Sequence, residues 1–229
     1  MHSQPIRPHT THPGVFTDGA DLYTRSLLGP LPRGTTEATL RGLNGHDYRP
    51  FPPTRTKLAA IVKRRARAWP FTPTSRVLYL GAGAGTTVSF LSDICPDGMI
   101  YAVEFAPEPF RDLVGVARGR RNVVPILADA RTPAAYRAHI PQPVDVVYQD
   151  VAQRDQWDIL RRNADAYLRP GGWAVLIVKA KSVDVARPAR EVYDETAAAI
   201  AMTGYTVEEF VELDPYEREH GAFMLRRAT

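Results

Sequence analysis

The sequence contains a single cysteine, Cys95, in 229 residues. No internal disulfide can form, and a cysteine-based metal site is excluded. Long apolar runs are also missing: no stretch approaches the roughly 20 apolar residues that a membrane-spanning helix needs. The opening Met1-His2-Ser3-Gln4-Pro5 carries no apolar signal core, so export is not expected. These absences together predict a cytoplasmic protein with no membrane partner. Charge of one sign is scarce as well, with 29 basic against 25 acidic residues and a formal net charge of +4. An excess that small argues only weakly for an anionic partner. Its distribution says more, because basic residues bunch at Lys63-Arg64-Arg65-Arg67, Arg118-Arg120-Arg121, Arg161-Arg162 and Lys179-Lys181. One such cluster reads first as a solvated helix face. Several on one basic domain make an RNA backbone a reasonable partner.

What is present suffices for one α/β domain with a buried core and an N-terminal elaboration. Residues 1–55 are rich in Pro, Gly and Thr. Short apolar stretches at Val15-Phe16, Leu22-Tyr23, Thr36 to Leu40 and Tyr48 to Phe51 read as strands, and Asp18-Gly19 and Asn44-Gly45 read as hairpin turns. A small N-terminal antiparallel β subdomain is expected over 1–55. A helix is expected from Thr56 to Trp69, with Leu58, Ile61 and Val62 on one face and Pro70 ending it. It opens a second domain over 56–229.

From Arg76 the pattern alternates. Nearly continuous apolar runs at Val77–Leu80, Met99–Phe105, Val123–Leu127, Val144–Tyr148 and Trp173–Val178 suit strands buried on both faces of a parallel sheet. Helices are expected at Thr86–Ile94, Glu108–Ala117, Gln156–Tyr167 and Ala189–Met202. This order predicts a doubly wound, Rossmann-like α/β fold. Thr206–Leu213 and Ala222–Leu225, joined by the loop from Asp214 to Gly221, fit an antiparallel C-terminal hairpin at the sheet edge.

The most informative segment is Val77-Leu78-Tyr79-Leu80-Gly81-Ala82-Gly83-Ala84-Gly85-Thr86-Thr87. A buried strand runs into Gly81, Ala82, Gly83 and Gly85, which let the backbone turn tightly and approach a ligand. A helix N-terminus with free N–H groups follows. The dinucleotide fingerprint G-x-G-x-x-G fails here, since its third glycine falls on Thr86 or Val88. The loop reads G-x-G-x-G, the spacing common in S-adenosyl-L-methionine sites. Taken alone, a glycine turn that only packs helix on strand explains it equally well. The next strand ends in Glu104-Phe105, where an acid reaches the ribose diol of a nucleoside and a phenyl ring offers an apolar face to the base. After the third strand, Asp129 is placed to accept from an adenine amino group. Asp150 and Lys179 end strands expected to be neighbours, and Lys57 starts the helix before the glycine loop.

This set suits methyl transfer to a ribose hydroxyl. Such a hydroxyl holds its proton tightly and needs a base and in-line alignment. A lysine disposed toward its neutral form by burial and a second cation can serve, with an aspartate orienting it. No metal is required. A structural salt bridge is the plain alternative for Asp150 and Lys179. Three other readings remain at this point: a small-molecule methyltransferase, a nucleotide-dependent dehydrogenase, and a non-catalytic RNA-binding protein on the same fold.

These segments, with Ala128-Asp129-Ala130-Arg131, Asp150-Val151-Ala152-Gln153, Arg169-Pro170-Gly171-Gly172, Lys179-Ala180-Lys181-Ser182 and Leu213-Asp214-Pro215-Tyr216-Glu217-Arg218-Glu219-His220, resemble the archaeal fibrillarin family. Its members are the rRNA/tRNA 2′-O-methyltransferase subunits of box C/D guide-RNA particles. The resemblance runs from about Pro13 to the C-terminus. It implies a Rossmann-like S-adenosylmethionine-dependent methyltransferase fold. It implies cofactor contacts from the glycine loop, Thr86, Thr87, Glu104, Phe105, Asp129, Ala130, Asp150, Val151, Ala152 and Gln153. It implies a catalytic set of Lys57, Asp150, Lys179 and His220, the last not found from the residues alone. It also implies a Nop-domain scaffold protein, a kink-turn-binding ribosomal-type protein, a box C/D guide RNA and an rRNA or tRNA substrate. The chain departs from the family at Gly83-Ala84, usually Ala then Ser, and at Gly221, often Ala. The opening segment through His12 is poorly matched and expected to be disordered.

Overall fold

The computed structural model describes residues 5–30, 40–42 and 44–229. Among these, the N-terminal strands are β1 (Arg7–Pro8), β2 (Val15–Thr17), β3 (Leu22–Arg25), β4 (Leu40–Arg41) and β5 (Asp47–Pro50). They form one antiparallel sheet in the order β1-β2-β3-β5-β4. Asp18 makes the β2–β3 turn by accepting from the amides of Ala20 and Asp21, while Gly19 takes a φ of 98°. Asn44-Gly45 lies in the β4–β5 connection as expected, with Gly45 at φ 80°. Of the predicted strand from Thr36 to Leu40, residues 36–39 lie outside the described residues. The disorder expected through His12 is not seen from residue 5 onward. His12 is buried against Trp69, their rings 4.9 Å apart, and Trp69 Nε1 donates to the carbonyl of Pro13.

Helix α1 covers Lys57–Lys63 and is capped by Thr56, whose hydroxyl accepts from Leu58 N. The expected continuation to Trp69 does not form. Arg65 turns into the left-handed region at φ 60°, and Ala66 N reaches back to Ile61 O, closing the helix as a Schellman turn. The next amides, of Arg67 and Ala68, donate at 2.8 and 2.7 Å to the carboxylate of Glu209. A partner 142 residues away along the chain therefore replaces the helical ladder. Residues 58–62 are all buried, so α1 is enclosed on every side and has no single apolar face.

The second sheet contains β6 (Arg76–Leu80), β7 (Met99–Glu104), β8 (Val123–Leu127), β9 (Val144–Gln149), β10 (Leu168–Lys179), β11 (Tyr205–Glu212) and β12 (His220–Arg227). Its order is β11-β12-β10-β9-β6-β7-β8. The pairs from β10 to β8 are parallel, and β12 joins β10 and β11 antiparallel. The helices are α2 (Thr86–Ile94), α3 (Pro107–Arg118), α4 (Gln156–Tyr167), the short α5 (Ala180–Val183) and α6 (Ala189–Ala201), with a 3-10 turn at Pro133–His139. Period-two alternation sorts the strand side chains into two cores. Val77, Tyr79, Val146, Tyr148, Val175 and Ile177 face α1 and α2, while Leu78, Leu80, Val147, Leu176 and Val178 face α4 and α6. Each such buried aliphatic side chain contributes about 1.5–3 kcal/mol. Strand order reverses on either side of β6, which opens a crevice beyond the carboxyl ends of β6, β7 and β9.

The N-terminal sheet is fastened to α2 by a buried ionic node. Asp93 accepts from Arg49 at 2.9 Å and Arg120 at 2.6 Å, all three side chains being at most 2% exposed. Thr24 Oγ1 and Leu27 N donate to the same carboxylate. Arg120 therefore belongs to the interior and not to a solvated basic face. Arg161 and Arg162 are also engaged, pairing with Asp158, Asp165 and Asp155.

Candidate active site

The turn after β6 is possible because glycine stands at three points. Gly81, Gly83 and Gly85 have φ of 78°, 55° and 87°. A Cβ on Gly81 would lie 2.6 Å from Asp150 O, and one on Gly85 would lie 2.9 Å from Leu113. A Cβ on Gly83 would meet no protein atom within 4 Å, so within the protein it is the positive φ that calls for glycine there. The amides of Gly81 and Ala82 both donate to Val103 O, and Gly83 N donates to Glu104 Oε2 at 2.8 Å. The loop thereby borders a cavity of about 470 Å³, walled also by the ends of β7, β8, β9 and β10. Gly81, Ala82, Gly83, Thr86 and Thr87 line it. Gly85, expected among the contacts, does not: it is turned under α3.

On one wall Glu104 is 6% exposed. Its two carboxylate oxygens each accept one backbone N–H, from Gly83 and Ala106 at 2.8 Å. Further lone pairs remain on both oxygens for hydroxyl donors. Phe105 beside it is 63% exposed, an apolar ring left uncovered at the cavity. Asp129 and Ala130 line the same end. The Nε and Nη2 of Arg131 grip both oxygens of Asp129, and lone pairs remain on them for a further donor. These hydrogen bonds hold the Asp129 carboxyl below its usual range. Arg131, in the family-like stretch but without an assigned role, is thus part of the wall. Ala130 is held through its carbonyl by Asn163 Nδ2.

At the opposite end the sheet brings three charged groups together. β9 and β10 are parallel neighbours, which places Asp150 beside Lys179. Lys179 Nζ lies 3.2 Å from Asp150 Oδ1, and Lys57 Nζ lies 3.0 Å from Oδ2. Lys57 is delivered by the cap of α1, and that cap is tied to the glycine-loop helix by a 3.0 Å contact between Thr56 and Thr87 hydroxyls. Asp150, Val151, Ala152, Gln153 and Lys179 line the cavity, and Lys57 joins them through its contact with Asp150. His220 is off the wall. It is paired with Lys179 across the β10–β12 ladder, and its Nδ1 lies 2.7 Å from Arg218 O. Beneath this cluster Tyr79 stacks on Tyr148, centroids 4.8 Å apart. Burial, reinforced by the charge of Asp150, drives the Tyr79 hydroxyl well above its ordinary pKa.

The cavity fits an adenosyl cofactor. It has a backbone cradle that side chains would fill, a carboxylate with spare acceptor capacity and an uncovered aromatic ring. Gly81 through Gly83, Glu104 and Phe105 would hold the nucleoside, with the Asp150–Gln153 segment at the far end. Among the described residues no helix is long and apolar enough to cross a membrane.

The chain matches the family model described as Fibrillarin over residues 6–228. The Fibrillarin-like rRNA/tRNA 2′-O-methyltransferase of Pyrobaculum calidifontis is 42% identical over 229 residues, covering 97% of each chain. The crystal structure of Aeropyrum pernix fibrillarin in complex with natively bound S-adenosyl-L-methionine superposes with a TM-score of 0.85 at 40% identity, covering 96% of this chain and 97% of that one. A chain of a fibrillarin/Nop5p complex superposes with a TM-score of 0.83 at 36% identity, covering 94% of this chain and 98% of that one.

Proposed function

The chain belongs to the fibrillarin family, and from that premise we infer that it is an S-adenosylmethionine-dependent RNA ribose 2′-O-methyltransferase acting on rRNA and tRNA. The observation that carries the chemistry is the convergence of Lys57 and Lys179 on Asp150 at 3.0 and 3.2 Å, beside a cavity fit for a nucleoside. S-adenosylmethionine, when bound, supplies an electrophilic methyl group on a sulfonium.

The roles of the side chains follow from their positions. Glu104 accepts from the ribose diol and Phe105 covers the base. Asp150 is shared by two ammonium groups, so the cluster carries one excess positive charge. Lys179, the lysine on the cavity wall, is the one whose neutral form takes the proton from the ribose hydroxyl. Lys57 keeps Asp150 in place, and His220 flanks Lys179 from the adjacent strand. Held groups of this kind act by alignment, which supplies a large share of the barrier reduction in such transfers.

The scaffold partner is a Nop-domain protein, as in the fibrillarin/Nop5p complex. A kink-turn-binding protein and a box C/D guide RNA complete the particle, with base pairing to the guide choosing the target nucleotide. The enzyme then needs little RNA affinity of its own, which agrees with the small net charge. Residues 1–55 form the N-terminal β subdomain and 56–229 the methyltransferase domain, and the protein works in the cytoplasm.

The test is reconstitution with the scaffold, the kink-turn protein and one guide, followed by mapping of 2′-O-methyl marks. A mark at the guide-selected nucleotide is expected, and Asp150→Ala or Lys179→Ala is expected to abolish it with the fold intact. A variant with near-normal turnover would remove that residue from the reacting set.

A further inference from the structure

Strand β9 stops short of the reacting group on its neighbour. The last β9–β10 pair is Gln149 with Leu176, yet β10 runs on for three residues to Lys179. At Asp150 the chain leaves the sheet to build the cavity wall. Lys179 therefore has no strand on that side to meet its peptide N–H and C=O. In a part-buried position both groups need partners.

The side chain of Gln156 meets them. Its Oε1 accepts from Lys179 N at 3.0 Å, and its Nε2 donates to Lys179 O at 3.3 Å. The second Nε2 hydrogen goes to Gln153 O at 2.8 Å. Both amide donors and the carbonyl are thus used. Gln156 is 2% exposed, and its own main-chain carbonyl is held by Gln149 Nε2 at 2.6 Å. The buried carboxamide presents one acceptor and one donor to Lys179, the two groups that a continued neighbouring strand would present.

We propose that Gln156 is a positioning residue for methyl transfer, its carboxamide standing in for the absent β9 peptide and fixing Lys179 and the Gln153 wall to each other. This inference rests on the reaction assigned above. It accounts for how β9 can open the cavity at Asp150 without releasing the end of β10. It also explains why the first residue of α4, where a surface position is the usual expectation, is a buried amide.

The test uses the full chain. Gln156→Leu keeps the approximate volume and removes all three side-chain hydrogen bonds. In the cofactor-free protein, exchange of the Lys179 amide hydrogen is expected to accelerate about tenfold or more. In the particle reconstituted with a guide, single-turnover methylation is expected to slow about tenfold or more with little change in RNA KM, as misalignment of a reacting group predicts. Gln156→Glu sets a carboxylate oxygen against two carbonyl oxygens. It is expected to be as slow as Gln156→Leu at alkaline pH and to recover toward acid pH, where the protonated acid again donates. A role confined to stability would lower the unfolding midpoint and leave the rate of the folded protein and the shape of its pH profile alone. Unchanged Lys179 exchange in Gln156→Leu, or a Gln156→Glu pH profile parallel to that of the wild type, would overturn the proposal. Should Gln156→Leu not fold, the Gln156→Glu profile decides by itself. A silent wild-type particle would count against the assigned reaction, whereas an active wild type matched by Gln156→Leu would count against Gln156 alone.

Discussion

Substituting Asp93 with alanine tests how the N-terminal sheet is held. Asp93 sits in the last turn of α2, where a negative charge opposes the helix dipole, so tertiary contacts must be what favours it there. Those contacts are two guanidiniums, at 2.9 and 2.6 Å, with every side chain at most 2% exposed. Alanine leaves Arg49 and Arg120 buried without their shared counter-charge. Breaking one side of a buried ion pair costs about 3–5 kcal/mol. For a chain of this size that is roughly 6–20 °C in melting temperature. Urea unfolding at neutral pH measures the loss directly. Asp93→Asn keeps the shape and some hydrogen bonds, and is expected to fall between wild type and alanine. Replacing Asp93, Arg49 and Arg120 together by apolar residues is expected to recover part of the loss, because both guanidiniums then leave the interior with the carboxylate they share. A loss below about 1 kcal/mol for Asp93→Ala would refute the reasoning, since it would place the two arginines in reach of water.

Gly81→Ala puts a Cβ 2.6 Å from Asp150 O at φ 78°. The left-handed backbone alone costs about 1–2 kcal/mol, and cofactor affinity by calorimetry is expected to fall more than about tenfold. Glu104→Gln turns one of two accepting oxygens into a donor facing a backbone N–H. Loss of a charge-assisted hydrogen bond is worth about 1.5–3 kcal/mol, so cofactor Kd is expected to rise roughly 10- to 100-fold. Burial, with His9 adjoining, lowers the pKa of His12 from 6.5 to about 4. Below the ordinary histidine range the unfolded chain takes up a proton that the folded one refuses. Stability is therefore expected to fall as pH drops from 6.5 toward 4, by at most about 3 kcal/mol. His12→Phe should flatten that slope in pH-dependent denaturation, and an unchanged slope would refute the assignment.

Much of the architecture was legible because the central strands of the second sheet are covered on both faces. Val77–Leu80 and Trp173–Val178 are apolar without a break, and no other arrangement buries such runs as well. The glycine loop, Glu104 and Asp150 were legible for a related reason: strand ends in a doubly wound sheet point to one crevice. The parallel pairing of β9 with β10 then brought Asp150, just past the end of β9, within reach of the Lys179 side chain. Lys57 was reachable only as a candidate cation, and His220 only through family likeness, because nothing local marks a histidine as the cross-strand partner of a lysine. The grip of Arg131 on Asp129, two residues away, was not legible, because it depends on side-chain geometry that spacing does not reveal.

Chain order, strand period and the positions of glycine were thus determined by the sequence itself, since they depend on neighbours a few residues apart. The end of α1 at Lys63, the interior place of Arg120 and the service of Gln156 to Lys179 were decided only in the folded molecule. Each depends on a polar partner brought from far along the chain — Glu209 to the amides after α1, Asp93 to Arg120, the end of β10 to Gln156. A buried polar group takes whichever partner the packing delivers, and that delivery is a property of the tertiary structure.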